Sequence, residues 1–188
     1  MKHIMLDLET MGNGPTAAVV AIGACEFDPR GDGVEAEKFY AMASLESAMG
    51  AGLTVDPSTI LWWMQQDDIA RKSTFGRDAL SLGESLRRFN AWVYRLAPCA
   101  GQTAPSRADV AVWGNGATFD NVIIRSAFKA VGTEACWSFR NDKCYRTVTN
   151  LPGAEKVSFE RSGTAHNALD DAITQALHLQ KVYKALGL

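Results

Sequence analysis

The chain has 188 residues, 47% of them hydrophobic and 21% charged, with 16 glycines and 6 prolines, a composition that excludes a mainly disordered protein. Its formal charge of −2 lacks the basic surplus usual in proteins that bind phosphate backbones. The longest uncharged apolar run, residues 17–25, is shorter than the roughly 20 residues of a membrane-spanning helix, and Asp7 interrupts any secretory core, so one cytoplasmic domain over 1–188 without membrane contact is expected.

Residues 3–10, 17–28 and 37–44 are apolar or alternating stretches separated by Gly, Pro and Asp clusters, which predicts three strands in a meander. Asp56 before Pro57 predicts a cap and a first helical position, opening a short helix over 58–66 that carries Trp62 and Trp63, with a second short helix over 67–73. Ser81 and Glu84 have capping-box spacing. Leu82, Leu86, Phe89, Val93 and Leu96 then recur at steps of four and three, which predicts an amphipathic helix over 82–97. Residues 98–107, rich in Pro, Gly, Ser and Thr, read as a loop into an apolar strand over 109–113. A helix over 119–130, a short strand over 137–140, a short helix over 142–150, a polar loop over 151–163 and a long helix over 167–186 complete the chain. Strands in series followed by alternating helices and strands imply an α/β architecture, one mixed sheet with helices on both faces.

The four cysteines, Cys25, Cys99, Cys136 and Cys144, form no CxxC or Cys/His cluster, so buried free thiols are expected rather than a zinc site or disulfide framework. The chemistry lies in the acidic residues. Asp7 and Glu9 stand two apart on the first strand, so the strand period aims both at one face while Ile4, Leu6 and Leu8 take the other. Two adjacent carboxylates on a central strand are costly unless something positive, such as a divalent metal, holds them. A solvated strand end is the plainer alternative. Asp120 follows a strand and Asn115-Gly116, at a helix start where a carboxylate also complements the helix dipole. His166 precedes the last helix by a residue. On that helix Ala168, Ala172, Ala176, Leu179, Tyr183 and Leu186 share the apolar stripe, Asp171 lies on its border, and Asp170 points to solvent. His3 and His178 have no carboxylate pattern and read as structural.

Taken together and in order, Asp-x-Glu-Thr on the first strand, a strand followed by Asn-Gly and then Phe-Asp, and His-x4-Asp opening the final helix resemble the DEDD superfamily of 3′-to-5′ exonucleases, in its His-containing (DEDDh) subgroup. Thr10-Met11-Gly12 and Ile60-Leu61-Trp62-Trp63 are similar to the group containing ribonuclease T and small bacterial and phage exoribonuclease-like domains. The resemblance implies a ribonuclease-H-like mixed sheet of about five strands flanked by helices. It also implies that Asp7, Glu9, Asp120 and Asp171 bind two Mg2+ or Mn2+ ions, turning the net charge from −2 to +2, and that His166 is the general base. Thr10, with Met11 beside it, would contact the terminal nucleotide at its 3′ hydroxyl, and Trp62, Trp63 or Phe119 would stack on a base, core packing being the alternative for the tryptophans. The implied substrate is single-stranded RNA or DNA with a free 3′ end, and the dimeric habit of ribonuclease T implies a homodimer. Arg125, Lys129, Arg140, Lys143, Arg146, Lys156 and Arg161 would serve a strand-binding groove or merely solvate the surface. A catalytically silent nucleic-acid- or partner-binding domain on the same fold is the competing reading. The choice between RNA and DNA rests on the 2′ hydroxyl, for which the sequence alone designates no residue.

Overall fold

In the computed structural model, which describes residues 1–97 and 108–188, the N-terminal meander consists of β1 (Lys2–Thr10), β2 (Val19–Phe27) and β3 (Val34–Met42). Helices α1 (Leu45–Gly50), α2 (Pro57–Met64), α3 (Asp68–Thr74) and α4 (Leu82–Leu96) follow, then β4 (Val110–Gly114) and α5 (Asp120–Ala130). The chain continues through β5 (Asp142–Cys144), α6 (Tyr145–Thr149) and α7 (Ala168–Leu186). The strands form one mixed sheet in the order β3-β2-β1-β4-β5, with β1 antiparallel to β2 and parallel to β4. β1 is therefore central, and its last residues project beside the end of β4, where α5 begins.

Alternation along β1 assigns its two faces. Ile4, Leu6 and Leu8 join Phe89, Trp92 and Val93 of α4 and Ile123 and Phe128 of α5 in the larger core. Met5, on the opposite face, packs with Cys25, Trp113, Ala172, Ala176 and Leu179 of α7. Asp7 and Glu9 continue the Met5 side, toward α7. What lets α7 approach so closely is Gly23, the β2 partner of Asp7. A Cβ there would overlap the carbonyl group of Ala168 and the nitrogen of Leu169, so the first turn of α7 rests directly on sheet backbone. Asn167 starts that turn, its Oδ1 accepting from Leu169 N at 3.1 Å and Asp170 N at 3.2 Å.

Several elements differ from expectation. The last strand lies at Asp142–Cys144 rather than 137–140, because Asp142 pairs in parallel with Val112 and its carboxylate accepts from Arg125 and from Trp137 Nε1. Residues 139–141 form a 3-10 turn, and the helix expected over 142–150 is reduced to α6. Helix α1, capped by Ser44 Oγ, was not anticipated, and the loop over 151–163 contains a 3-10 turn at Ala154–Lys156. Asp56 precedes α2 as expected but does not cap it with its carboxylate, which instead accepts from Asn13 N at 2.9 Å. Ser81 does cap α4. Cys25 is buried, whereas the free Cys136 and Cys144 are only half-buried; Cys99 and the loop expected over 98–107 lie outside the described residues. Among the described residues no helix is long and apolar enough to cross a membrane.

Candidate functional site

One carboxylate oxygen each from Asp7, Glu9 and Asp171 lie within 4.8 Å of one another. The strand period supplies the first two and the close seating of α7 the third. Asp120 stands beside this trio but outside it. It is 2% exposed, with Oδ1 accepting from Leu8 N at 3.3 Å and Oδ2 left without a partner. Gly114 makes room for it, since a Cβ there would sit 2.9 Å from Asp120 Cβ.

Burial raises the Asp7 carboxyl well above the usual carboxylate range, and the charges of Asp120, Glu9 and Asp171 add to the effect. Burial, then Asp171 and Asp120, pushes Glu9 up to about 8. Asp120 is pushed up to about 7 by burial, against the opposing pull of backbone N–H groups. Without a cation, ionising these groups together is unfavourable. An all-oxygen donor set, an unpartnered buried carboxylate oxygen and mutual repulsion fit a hard divalent cation.

His166 adopts φ 60°, a left-handed setting uncommon outside glycine, and donates its backbone N–H to Asp171 Oδ2 at 3.1 Å. Its ring meets Trp62 edge to face at 4.8 Å between centroids. His166, Asp7 and Glu9 share a cavity of about 500 Å³ with Thr10, Asn13, Ser58, Thr59, Trp62, Trp63 and Phe119. Trp62 is 40% exposed and free to meet a ligand, whereas Trp63 is buried and donates Nε1 to Thr10 O at 3.0 Å. The Thr10 hydroxyl donates to Gly12 O at 2.7 Å, so turn geometry already uses it. Met11 is part of the large core and does not line the cavity. His3 and His178 are structural as expected: His3 Nδ1 accepts from Trp113 Nε1, and His178 Nδ1 meets the Tyr145 hydroxyl.

Three contacts had no counterpart in the sequence reading. Asp170 does not simply face solvent but accepts from Thr164 N at 2.7 Å, tying the approach to α7. Arg161 pairs with Asp171 Oδ1. Gln175, one turn beyond Asp171, donates Nε2 to Asp7 Oδ1 at 2.7 Å, while its Oε1 is buried without a partner. Only an i, i+4 relation to Asp171 hinted at Gln175. Gln175→Leu is expected to weaken manganese binding about 10- to 100-fold, the usual cost of losing a ligand's supporting hydrogen bond; titration calorimetry checks it. Of the basic residues, Arg125 is occupied by Asp142 and by the Trp137 ring. Arg140 covers Phe139. Arg161 and Arg146, which donates to Asn115 O at 3.0 Å, border the carboxylates.

The profile of the 3'-5' exoribonuclease Rv2179c-like domain matches residues 2–183. The exodeoxyribonuclease of Enterobacteria phage T4 is 30% identical over 135 residues, covering 66% of this chain and 54% of that protein, so the chain spans about half the length of this relative. The nuclease domain of 3'hExo, a DEDDh family member solved bound to rAMP, matches with a TM-score of 0.62 at 11% identity, over 97% of this chain and 92% of that one. At that identity the likeness is one of fold, the mixed five-stranded sheet flanked by helices.

Proposed function

The chain belongs to the Rv2179c-like 3'-5' exoribonuclease domain family, and we propose that it is a single-domain, metal-dependent exonuclease that shortens single-stranded nucleic acid from a free 3′ end to nucleoside 5′-monophosphates. The observation that carries this reading is the convergence of Asp7, Glu9 and Asp171 beside a cavity that also holds His166. Asp7, Glu9, Asp171 and Asp120 would hold two magnesium or manganese ions. When bound, such ions supply charge stabilisation at the attacking and leaving oxygens of an in-line displacement. The protein positions the rest. Trp62 and Phe119, both in the cavity lining, would stack on a base, and His166 would accept the proton of the attacking water. The substrate strand would leave past Arg146 and Arg161.

His166→Ala is expected to slow the chemical step about a hundredfold near neutral pH, with manganese affinity largely kept. An unchanged pH–rate profile would remove His166 from the base role. The function itself is tested with 5′-labelled single-stranded RNA and DNA of matched sequence, with magnesium, manganese or EDTA. A ladder shortening from the 3′ end, absent in EDTA, supports the reading; intact strands under every metal would favour a silent binding domain. A cytoplasmic location accords with the free thiols of Cys25, Cys136 and Cys144. The implied homodimer is checked by light scattering.

A further inference from the structure

Thr59 lines the cavity from the first turn of α2, is 9% exposed, and has a hydroxyl with no hydrogen-bond partner. An orphaned buried hydroxyl is unfavourable, and a valine of the same shape would relieve it without loss of packing. Its missing partner therefore belongs to whatever enters the cavity. The other threonine in the lining is not equivalent, because Thr10 already donates to Gly12 O.

The position of Thr59 indicates which part of a ligand it meets. Trp63, one turn along α2, donates to Thr10 O and so holds this face of the helix against the end of β1, next to Glu9. On the exonuclease reading, the reacting phosphate lies at the carboxylates and is joined to the terminal nucleotide through its 5′ oxygen, so the sugar with its 2′ and 3′ hydroxyls lies between that phosphate and the base. The flat base is served by the rings of Trp62 and Phe119, which leaves a hydroxyl at Thr59 facing the sugar. We propose that Thr59 hydrogen-bonds the 2′ hydroxyl of the terminal nucleotide and thereby makes this enzyme prefer RNA. A hydroxyl both donates and accepts, so it suits another hydroxyl. Threonine in a helix occupies two side-chain settings, and no hydrogen bond holds this one, so Oγ1 is free to rotate about Cα–Cβ toward an entering ligand. A deoxyribose end leaves the hydroxyl unpaired, which costs about tenfold or more in kcat/KM.

The test uses wild type, Thr59→Val and Thr59→Ser on one RNA sequence ending in either a ribonucleotide or a single 2′-deoxynucleotide, with thermal midpoints measured alongside. Wild type should favour the ribonucleotide end about tenfold or more. Thr59→Val should lower that rate to near the deoxynucleotide level, affect the deoxynucleotide rate far less, and melt no lower than wild type. Thr59→Ser should keep the preference. No preference in wild type, or an equal loss on both ends in Thr59→Val, overturns the assignment and points to a 3′ hydroxyl contact or a packing role. If wild type degrades neither RNA, the exonuclease reading fails separately, and binding of AMP against 2′-deoxy-AMP decides the matter: equal wild-type affinities overturn the role of Thr59, and an AMP preference lost in Thr59→Val supports it.

Discussion

Asp7→Asn is expected to lower kcat/KM on single-stranded substrate by about three orders of magnitude while the metal-free protein melts at a higher temperature than wild type. The first part follows from the position of Asp7 in the carboxylate trio. Losing a ligand forfeits much of the several kcal/mol by which bound cations stabilise the transition state, and each ~1.4 kcal/mol is a decade in rate. The second part follows first from burial and then from repulsion. Asp7 is buried beside Glu9, Asp120 and Asp171, and a neutral amide of the same size relieves that cluster. The asparagine keeps its Oδ1, so the hydrogen bond from Gln175 survives and the shape of the site is preserved. Activity assays with scanning fluorimetry separate the two effects. A variant that turns over normally removes Asp7 from the metal site; one that melts well below wild type makes the carboxylate a structural group.

In EDTA, the thermal midpoint should fall as pH rises from about 5 to 8, and the stabilisation by manganese should grow over the same interval. Burial holds Glu9 up to about 8, holds Asp120 up to about 7 and raises Asp7, so the folded protein keeps protons that the unfolded chain has released. Stability therefore declines with pH across that window. The contribution is complete below the ordinary carboxylate range and is lost as pH passes through the raised folded values. Cations need the deprotonated ligands, so they compete with protons at pH 5 and meet charged carboxylates at pH 8. In a chain of this size ~1 kcal/mol moves the midpoint about 2–4 °C, enough for fluorimetry to resolve. A flat profile in EDTA, with a manganese shift independent of pH, would detach these carboxylates from metal binding.

Features carried by regular spacing were legible in the sequence. The i, i+2 relation of Asp7 and Glu9 and the four-three steps of α4 place those side chains as observed. So did the border position of Asp171 on α7. Elements set by distant partners were not legible. The three residues of β5 are a strand only because β4 lies alongside, and nothing local distinguishes Asp142–Cys144 from the start of a helix. Arg125 reads as a free surface cation until its pairing with Asp142 is seen. The site divides in the same way. Its acids and His166 follow from ordered motifs, whereas Gln175 and Thr59 matter through contacts or vacant hydrogen-bonding capacity that cross the fold. Thr10, placed by motif, lines the cavity while its hydroxyl donates to Gly12 O.

The seating of α7 on Gly23 also makes the carboxylate trio depend on contact between segments far apart in the chain. Asp7 and Glu9 come from β1, but Asp171 comes from a helix that must be laid on bare peptide near Gly23 before the three carboxylates meet. The β1–β3 meander alone carries only two of the three carboxylates. A change that lifts the first turn of α7 off β2 therefore opens the trio without touching a carboxylate.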